Sequence, residues 1–401
     1  DVYFNTNMAI QGNFTVADVN NQQIGLTNNS TGRTFSIGGD CIIQANSDVR
    51  AAISSGAAAI TVSGNYSQTG GVFYVTDGTT ATSSLVISGD FTQSAGDFRS
   101  SDNTGACTTT VGGNLNLSGT GLIRPVSDDG AVTFSVTGNV VITGGEFRLK
   151  EDNGNATFNV TGNYTQSAGT FTFRNTGTGT ANVNISGNFS LSGTQAFNMT
   201  SSGVATLDIN GNYSLTGGTH TMSSGTSVLN ANGIMNVAGN FIHTGGTINE
   251  SSSGLGSIVF DGTGTQTYTS GGTVTNTINF TVNSGATLQM AAPTTTVTGA
   301  GTFTLQNNST LGITSPNGIT TGIGTGGTNG NIQTTGASRS FNTAANYIYN
   351  GSAAQTTGTG LPATVSNLTF NNSSGAVTFN AVRAITNNFS ITSGSVANLG
   401  T

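Results

Sequence analysis

The chain has 401 residues, of which nine are basic and sixteen acidic, giving a net charge of −7 with only 6% charged residues and 60 glycines. A single lysine, Lys150, excludes the clustered basic surface that phosphate binding needs, and no run of about eighteen apolar residues offers a bilayer span. Disorder, common in Gly/Ser/Thr-rich chains, is opposed by 21 Phe and 8 Tyr and by apolar residues that recur at even spacing.

From the N-terminus onward, one phrase recurs: Gly, then Asn or Asp, then an apolar residue. It begins at Gly12, Gly39, Gly64, Gly89, Gly113, Gly138, Gly162, Gly187, Gly211 and Gly239, with steps of 27, 25, 25, 24, 25, 24, 25, 24 and 28 residues. A period this even marks a repeat architecture. Within one period the alternation has step two, the strand signature. Val183, Ile185, Phe189 and Leu191 share one parity, Asn182, Asn184, Ser186, Asn188 and Ser190 the other, and Phe197 and Met199 resume the inward set after a turn. Three short strands per coil of about 25 residues are predicted, with corners at Gly193 and at Ser201, Ser202 and Gly203. Helix is excluded by the absence of a 3.6-residue period and by the abundance of poor helix formers.

One such coil cannot bury its own inward residues, whereas stacked coils paired in parallel at about 4.8 Å form a continuous core. The predicted fold is therefore all-β, a parallel β-helix (β-solenoid) of fifteen or sixteen coils and about 75 Å, with a right-handed sense expected. At the repeated corner Asn13, Asp40, Asn65, Asp90, Asn114, Asn139, Asn163, Asn188, Asn212 and Asn240 should stack as a ladder. The glycine before each is expected to supply a backbone conformation that a β-carbon resists. The next slot reads Phe14, Cys41, Tyr66, Phe91, Leu115, Val140, Tyr164, Phe189, Tyr213 and Phe241, a predicted inward column.

Residues 1–250 read as regular coils and 251–401 as a less regular continuation, with an enlarged loop near 312–340; a separate β-sandwich is the alternative for the later part. The chain opens at Asp1 without a Met or a signal-peptide pattern, and its last residues read as an interrupted coil. A processed or excerpted chain is the expectation, with end-to-end self-association or continuation into further repeats.

Cys41 and Cys107 lie about two and a half coils apart, roughly 12 Å, beyond disulfide reach, so two buried free thiols are expected. His220 falls in the slot of Phe147 and Phe171, and His243 in that of Leu191 and Leu215; two histidines without a third ligand read as core residues. No carboxylate cluster repeats on one face, no nucleophile-base pair stands out, and neither a phosphate loop nor a calcium-roll repeat occurs. No enzyme, cofactor, metal, nucleic acid or membrane insertion is expected. One charged patch breaks the neutral background: Arg99, Arg124 and Arg148 align on an outward column with Lys150 and Arg174 beside it. Asp97, Asp102, Asp128, Asp129, Glu146, Glu151 and Asp152 flank it. The readings are a balanced ion-pair face or a contact site for an acidic glycan or a neighbouring protein.

The phrases "GNYSQTGG", "GNYTQSAGTFTF", "GNYSLTGGTHTM" and "LPATVSNLTFNNSSGAVTF" resemble the strand-repeat regions of very large adhesin-like proteins on the surface of Bacteroidota. The resemblance covers nearly the whole chain and implies an extracellular, cell-surface role in attachment, gliding or filament building, with type 9 secretion. The expected function is a rigid adhesin stalk or filament body. A glycan- or ice-binding module, suggested by Thr170/Thr172 and Thr219/Thr221, and a β-helical polysaccharide-active enzyme are the alternatives.

Overall fold

The computed structural model describes residues 1–17, 22–79, 82–174, 177, 179–224, 231–251, 254–320, 330–335 and 339–396. The chain winds into a parallel β-solenoid of about 15 turns, without a helix among the described residues. Every strand pairing is parallel and joins one turn to the next. A 14-stranded sheet forms the first face, and a 25-stranded sheet wraps the second and third faces.

One turn shows why the sequence folds this way. Ala181–Ile185, Phe189–Leu191 and Ala196–Thr200 are its three strands, and each buries alternate side chains. Tyr164 pairs with Phe189, and Phe189 with Tyr213, so matching positions of successive turns lie directly over one another. Their rings stack at centroid distances of 4.8 Å and 5.8 Å, and Tyr213, Phe241 and Tyr268 continue the file at 4.7 Å and 5.0 Å. The core is this set of vertical files, running from Val16 to Val377. In four turns the second and third strands fuse into one eleven-residue strand, such as Tyr66–Thr76 and Tyr164–Arg174, with register shifts where the strand bends.

The Asn/Asp corner separates the first and second faces. The side-chain oxygen of each ladder residue accepts the backbone N–H of its successor, from Asn13 to Asp40 at 2.8 Å through Asn212 to Asn240 at 2.8 Å; Asn240 then accepts from Thr267 at 2.8 Å. The expectation about the preceding glycines needs correction. None of them has a positive φ; from Gly39 onward their constraint is space. A β-carbon on Gly89 would lie 2.3 Å from Asn65 Oδ1 and 2.8 Å from the Gly64 carbonyl oxygen. Left-handed backbone belongs instead to the next corner, at Gly71, Gly96, Gly119, Gly145, Gly169, Gly193, Gly218 and Gly246, with φ between +57° and +85°.

Buried carboxamides brace that second corner. Gln166 accepts from the Tyr164 hydroxyl at 2.8 Å and donates to the carbonyls of Gly169 and Ala196, both at 3.2 Å. Gln68 does the same beneath Tyr66, accepting at 2.9 Å and donating to Gly70, Gly71 and Asp97. This is the physical content of the recurring Tyr-x-Gln in the repeat phrase: a turn of tight backbone has carbonyls that one inward amide can satisfy.

Between Phe303 and its register partner Arg339 the chain takes 36 residues, against 23 between Phe280 and Phe303. The loop expected near 312–340 begins inside Thr310–Ile313, a second-face strand that pairs with Thr287–Met290 and so continues the file of Tyr268, and its described roots are tucked in. Asn331 is 2% exposed and its side-chain oxygen accepts from the amides of Thr314 and Ser315, while Ile332 bridges Val297. Residues 321–329 and 336–338 of that expected loop lie outside the described residues.

Candidate functional site

The charged patch lies on the third face, where register builds one outward column. Arg50 pairs with Tyr74, Tyr74 with Arg99, and Arg99 with Arg124. Ile123 pairs with Phe147, which places Arg148 next in the file, and Arg148 pairs with Thr172. Arg50 and Tyr74 extend the column by two turns beyond the sequence reading. Aligning "DVRAA" and "GVFYVT" with "GDFRS" at the coil period would have found them.

Each guanidinium sits between carboxylates two positions before it and three positions after it in the aligned repeat, on its own or an adjacent turn. Arg50 meets Asp48 at 3.0 Å and Asp77 at 2.9 Å; Arg99 meets Asp97 at 2.9 Å and also Asp102. Arg124 binds Asp97, with Nε to Oδ1 at 3.1 Å, and Glu151 at 3.4 Å; Arg148 meets Glu146 at 2.6 Å and Glu151 at 2.7 Å. Four guanidiniums thus face six carboxylates, a local charge of −2. Tyr74 is clasped on both faces, with the Arg50 and Arg99 guanidinium carbons 4.8 Å and 4.5 Å from its ring centre. Burial, followed by the charge of Asp97, pushes the Tyr74 phenol up to about 12. Burial also raises the Asp97 carboxyl above its ordinary range, outweighing the opposing pull of Arg124. The strip is an ion-paired seam across five turns, held mostly by its own carboxylates.

Lys150 and Arg174 do not belong to this surface. They are 0% and 4% exposed and sit in another file, where Val126 pairs with Lys150, Lys150 with Arg174, and Arg174 with Thr200. The strand parity that puts Arg148 outside fails at the strand end, because Leu149 and Lys150 both turn inward as the chain enters the third corner. There each long cation serves the loop that follows: Lys150 donates to the Asp152 carbonyl, and Arg174 to those of Gly177 and Gly179. Thr200 and Ser101 do the same work in their turns, donating to Ser202 O and Gly105 O, each at 2.6 Å. Burial, followed by the Arg174 charge, brings the Lys150 ammonium down to about 8, against the opposing pull of Asp152 and Asp129. One carboxylate oxygen each of Asp128, Asp129 and Asp152 lies within 4.8 Å of the others, and the charges of Asp129 and Asp152 act on the Lys150 ammonium.

The remaining candidates are core residues. Cys41 and Cys107 are free and buried, and burial pushes both thiols up to about 12. Phe197 pairs with His220, whose Nδ1 shares a 2.9 Å hydrogen bond with the Tyr213 hydroxyl; burial brings its imidazole down to about 3. Leu215 pairs with His243, which is also lowered by burial. On the first face, Asp208 and Asp261 line one shallow cleft of about 360 Å³ with Asn184 and Asn236. Burial, followed by the charge of Asp208, raises the Asp261 carboxyl.

Comparison with protein-family models, with curated proteins and with solved structures returned no match.

Proposed function

We propose that this chain is a non-enzymatic structural segment, a rigid extracellular rod that serves as the stalk of a cell-surface adhesin or the body of a filament. The carrying observation is the axial hydrogen bonding: parallel backbone pairing from turn to turn among the described residues, reinforced at one corner by the side-chain ladder from Asn13 to Thr267. Bending such a rod requires many short bonds to lengthen together, so stiffness follows without a large charge inventory. The ion-paired strip fits the same role, since its guanidiniums are spent on adjacent turns and an acidic glycan would have to compete with six carboxylates. The finer reading, a strand-repeat region of a Bacteroidota surface protein exported by type 9 secretion, rests on the repeat phrases.

Rotary-shadowed or negative-stain electron microscopy of the purified chain tests the rod. Straight particles of about 70 Å, single or joined end to end, are expected from about 15 turns at about 4.8 Å each. Bent or collapsed particles would sink the reading. The Asp208/Asp261 cleft favours one second reading, a polysaccharide-active enzyme using paired carboxylates. New reducing ends from neutral or acidic polysaccharides, lost in Asp261→Asn, would establish it in place of the rod-only role.

A further inference from the structure

The stacked tyrosines expose an exception. Tyr66 and Tyr164 each donate to the glutamine two residues later, and Tyr213 finds His220. Tyr268 occupies the same file, pairing with Phe241, and is 1% exposed, yet its hydroxyl has no hydrogen-bond partner among the described residues. The reason is in the sequence. The bracing slot two residues after the aromatic passes from Gln166 through Leu191, Leu215 and His243 to Ser270, as register pairs show. Serine is too short to meet the phenol or to fill the corner.

What remains is an open cleft of about 290 Å³, close to the lower end of the roughly 300–1,000 Å³ typical of small-molecule sites. Tyr268 and His243 line its inner part, Gly271 and Gly272 leave one wall bare, and Thr294, Thr296 and Thr298 line it from the following turn. A β-carbon on Gly272 would lie 2.0 Å from His243 Nε2, so the open wall depends on glycine. His243 Nε2 makes only a 3.4 Å contact with the Gly246 carbonyl, and Ser270 Oγ is engaged by the Thr296 amide at 2.8 Å. No Asp, Glu, Lys or Arg lines the cleft, and burial keeps the His243 imidazole neutral at pH 7. A charged ligand would be desolvated there without a counter-charge; a neutral one would not.

We propose that this cleft binds the acetamido group of an N-acetylated sugar, which takes the place of the missing glutamine carboxamide. In the regular turns a carboxamide accepts from the phenol and donates toward the corner; an acetamido group offers the same acceptor oxygen and one N–H donor. The threonine hydroxyls at the rim suit sugar hydroxyls, which favours a glycan over the asparagine or glutamine side chain of a peptide. The site does not depend on the rod reading, since a stalk and a free module would carry it equally.

The test is titration calorimetry and saturation-transfer NMR on the full chain with N,N′-diacetylchitobiose, with cellobiose as the sugar lacking the acetamido group. Diacetylchitobiose should bind and cellobiose should bind at least about tenfold more weakly. Tyr268→Phe, which keeps the ring stack on Phe241, should weaken diacetylchitobiose by about tenfold. Ser270→Gln, which supplies the carboxamide from the chain itself, should abolish binding. No saturation transfer to the acetyl methyl at millimolar sugar, equal binding of cellobiose, or unchanged binding in Tyr268→Phe would each overturn the proposal. A glutamine-containing peptide that displaces diacetylchitobiose at equal concentration would overturn the sugar assignment. If Ser270→Gln fails to fold, the Tyr268→Phe comparison still decides.

Discussion

Replacing Gln166 with Leu puts into one turn the residue that the next turn carries at Leu191, in the same slot and with similar volume. The substitution leaves the buried Tyr164 hydroxyl without its acceptor and removes one donor from each of the half-buried carbonyls of Gly169 and Ala196. The unpaired hydroxyl costs about 1–3 kcal/mol and each lost carbonyl bond about 0.5–1.5 kcal/mol, and the apolar gain of leucine offsets part of this, so a net loss of about 2–4 kcal/mol is expected. Tyr164→Phe alone leaves one amide oxygen without its donor, at about 1–2 kcal/mol. The double variant reproduces the Phe189/Leu191 combination and removes both ends of the Tyr–Gln bond, so its loss should fall short of the sum by about 1–2 kcal/mol. Because solenoids can unfold in parts, the readout is urea denaturation together with amide hydrogen exchange across 160–200. Strict additivity, or protection unchanged in Gln166→Leu, would refute the idea that buried carboxamides hold this corner.

Gly12→Ala should be nearly silent because its β-carbon meets nothing within 4 Å, whereas Gly89→Ala should lower the denaturation midpoint by the equivalent of about 2 kcal/mol or more. His220 is held neutral in the fold, with its pKa depressed to about 3, so the unfolded chain binds its proton more readily. The corresponding stability is intact above about pH 6.5 and declines by up to about 1.4 kcal/mol per pH unit as pH falls toward 3. His220→Phe should flatten that dependence in denaturant melts between pH 7 and 4, and an unchanged slope would count against the assignment. Cys41 and Cys107 should resist a maleimide in the native protein and both react once it is unfolded, with intact mass as the readout. Arg124→Gln should cost about 1–2 kcal/mol at low salt, between exposed and buried ion-pair values, and less at 1 M salt; an equal cost in both would argue against charge as the cause.

The period, the step-two parity and the glycine-asparagine phrase were enough to read the files of stacked residues, because a parallel solenoid repeats one environment at each position. Cys41, His220 and His243 could be placed by the same alignment. What parity cannot read is a strand end, where the chain turns and two neighbours face inward together, and this is why it misplaces Lys150 and Arg174. A basic residue followed by an Asp/Asn/Gly-rich corner is the signal that distinguishes them from Arg99, Arg124 and Arg148. The ladder-corner glycines suggest a special backbone conformation, whereas from Gly39 onward their constraint comes from the turn below, which local sequence does not display. Tyr268 and Ser270 show the reverse case, in which a departure from the repeat is itself the information.

Between Val204 and Leu255, variation in loop size is greatest at the third corner. Three residues separate Thr200 from Val204, while eight separate Ser223 from Asn232, yet the flanking strands keep their partners on both sides. That edge of the rod acts as an expansion joint. Inserted segments could be displayed there in a row, one per lap, while the remaining perimeter continued undisturbed from either direction.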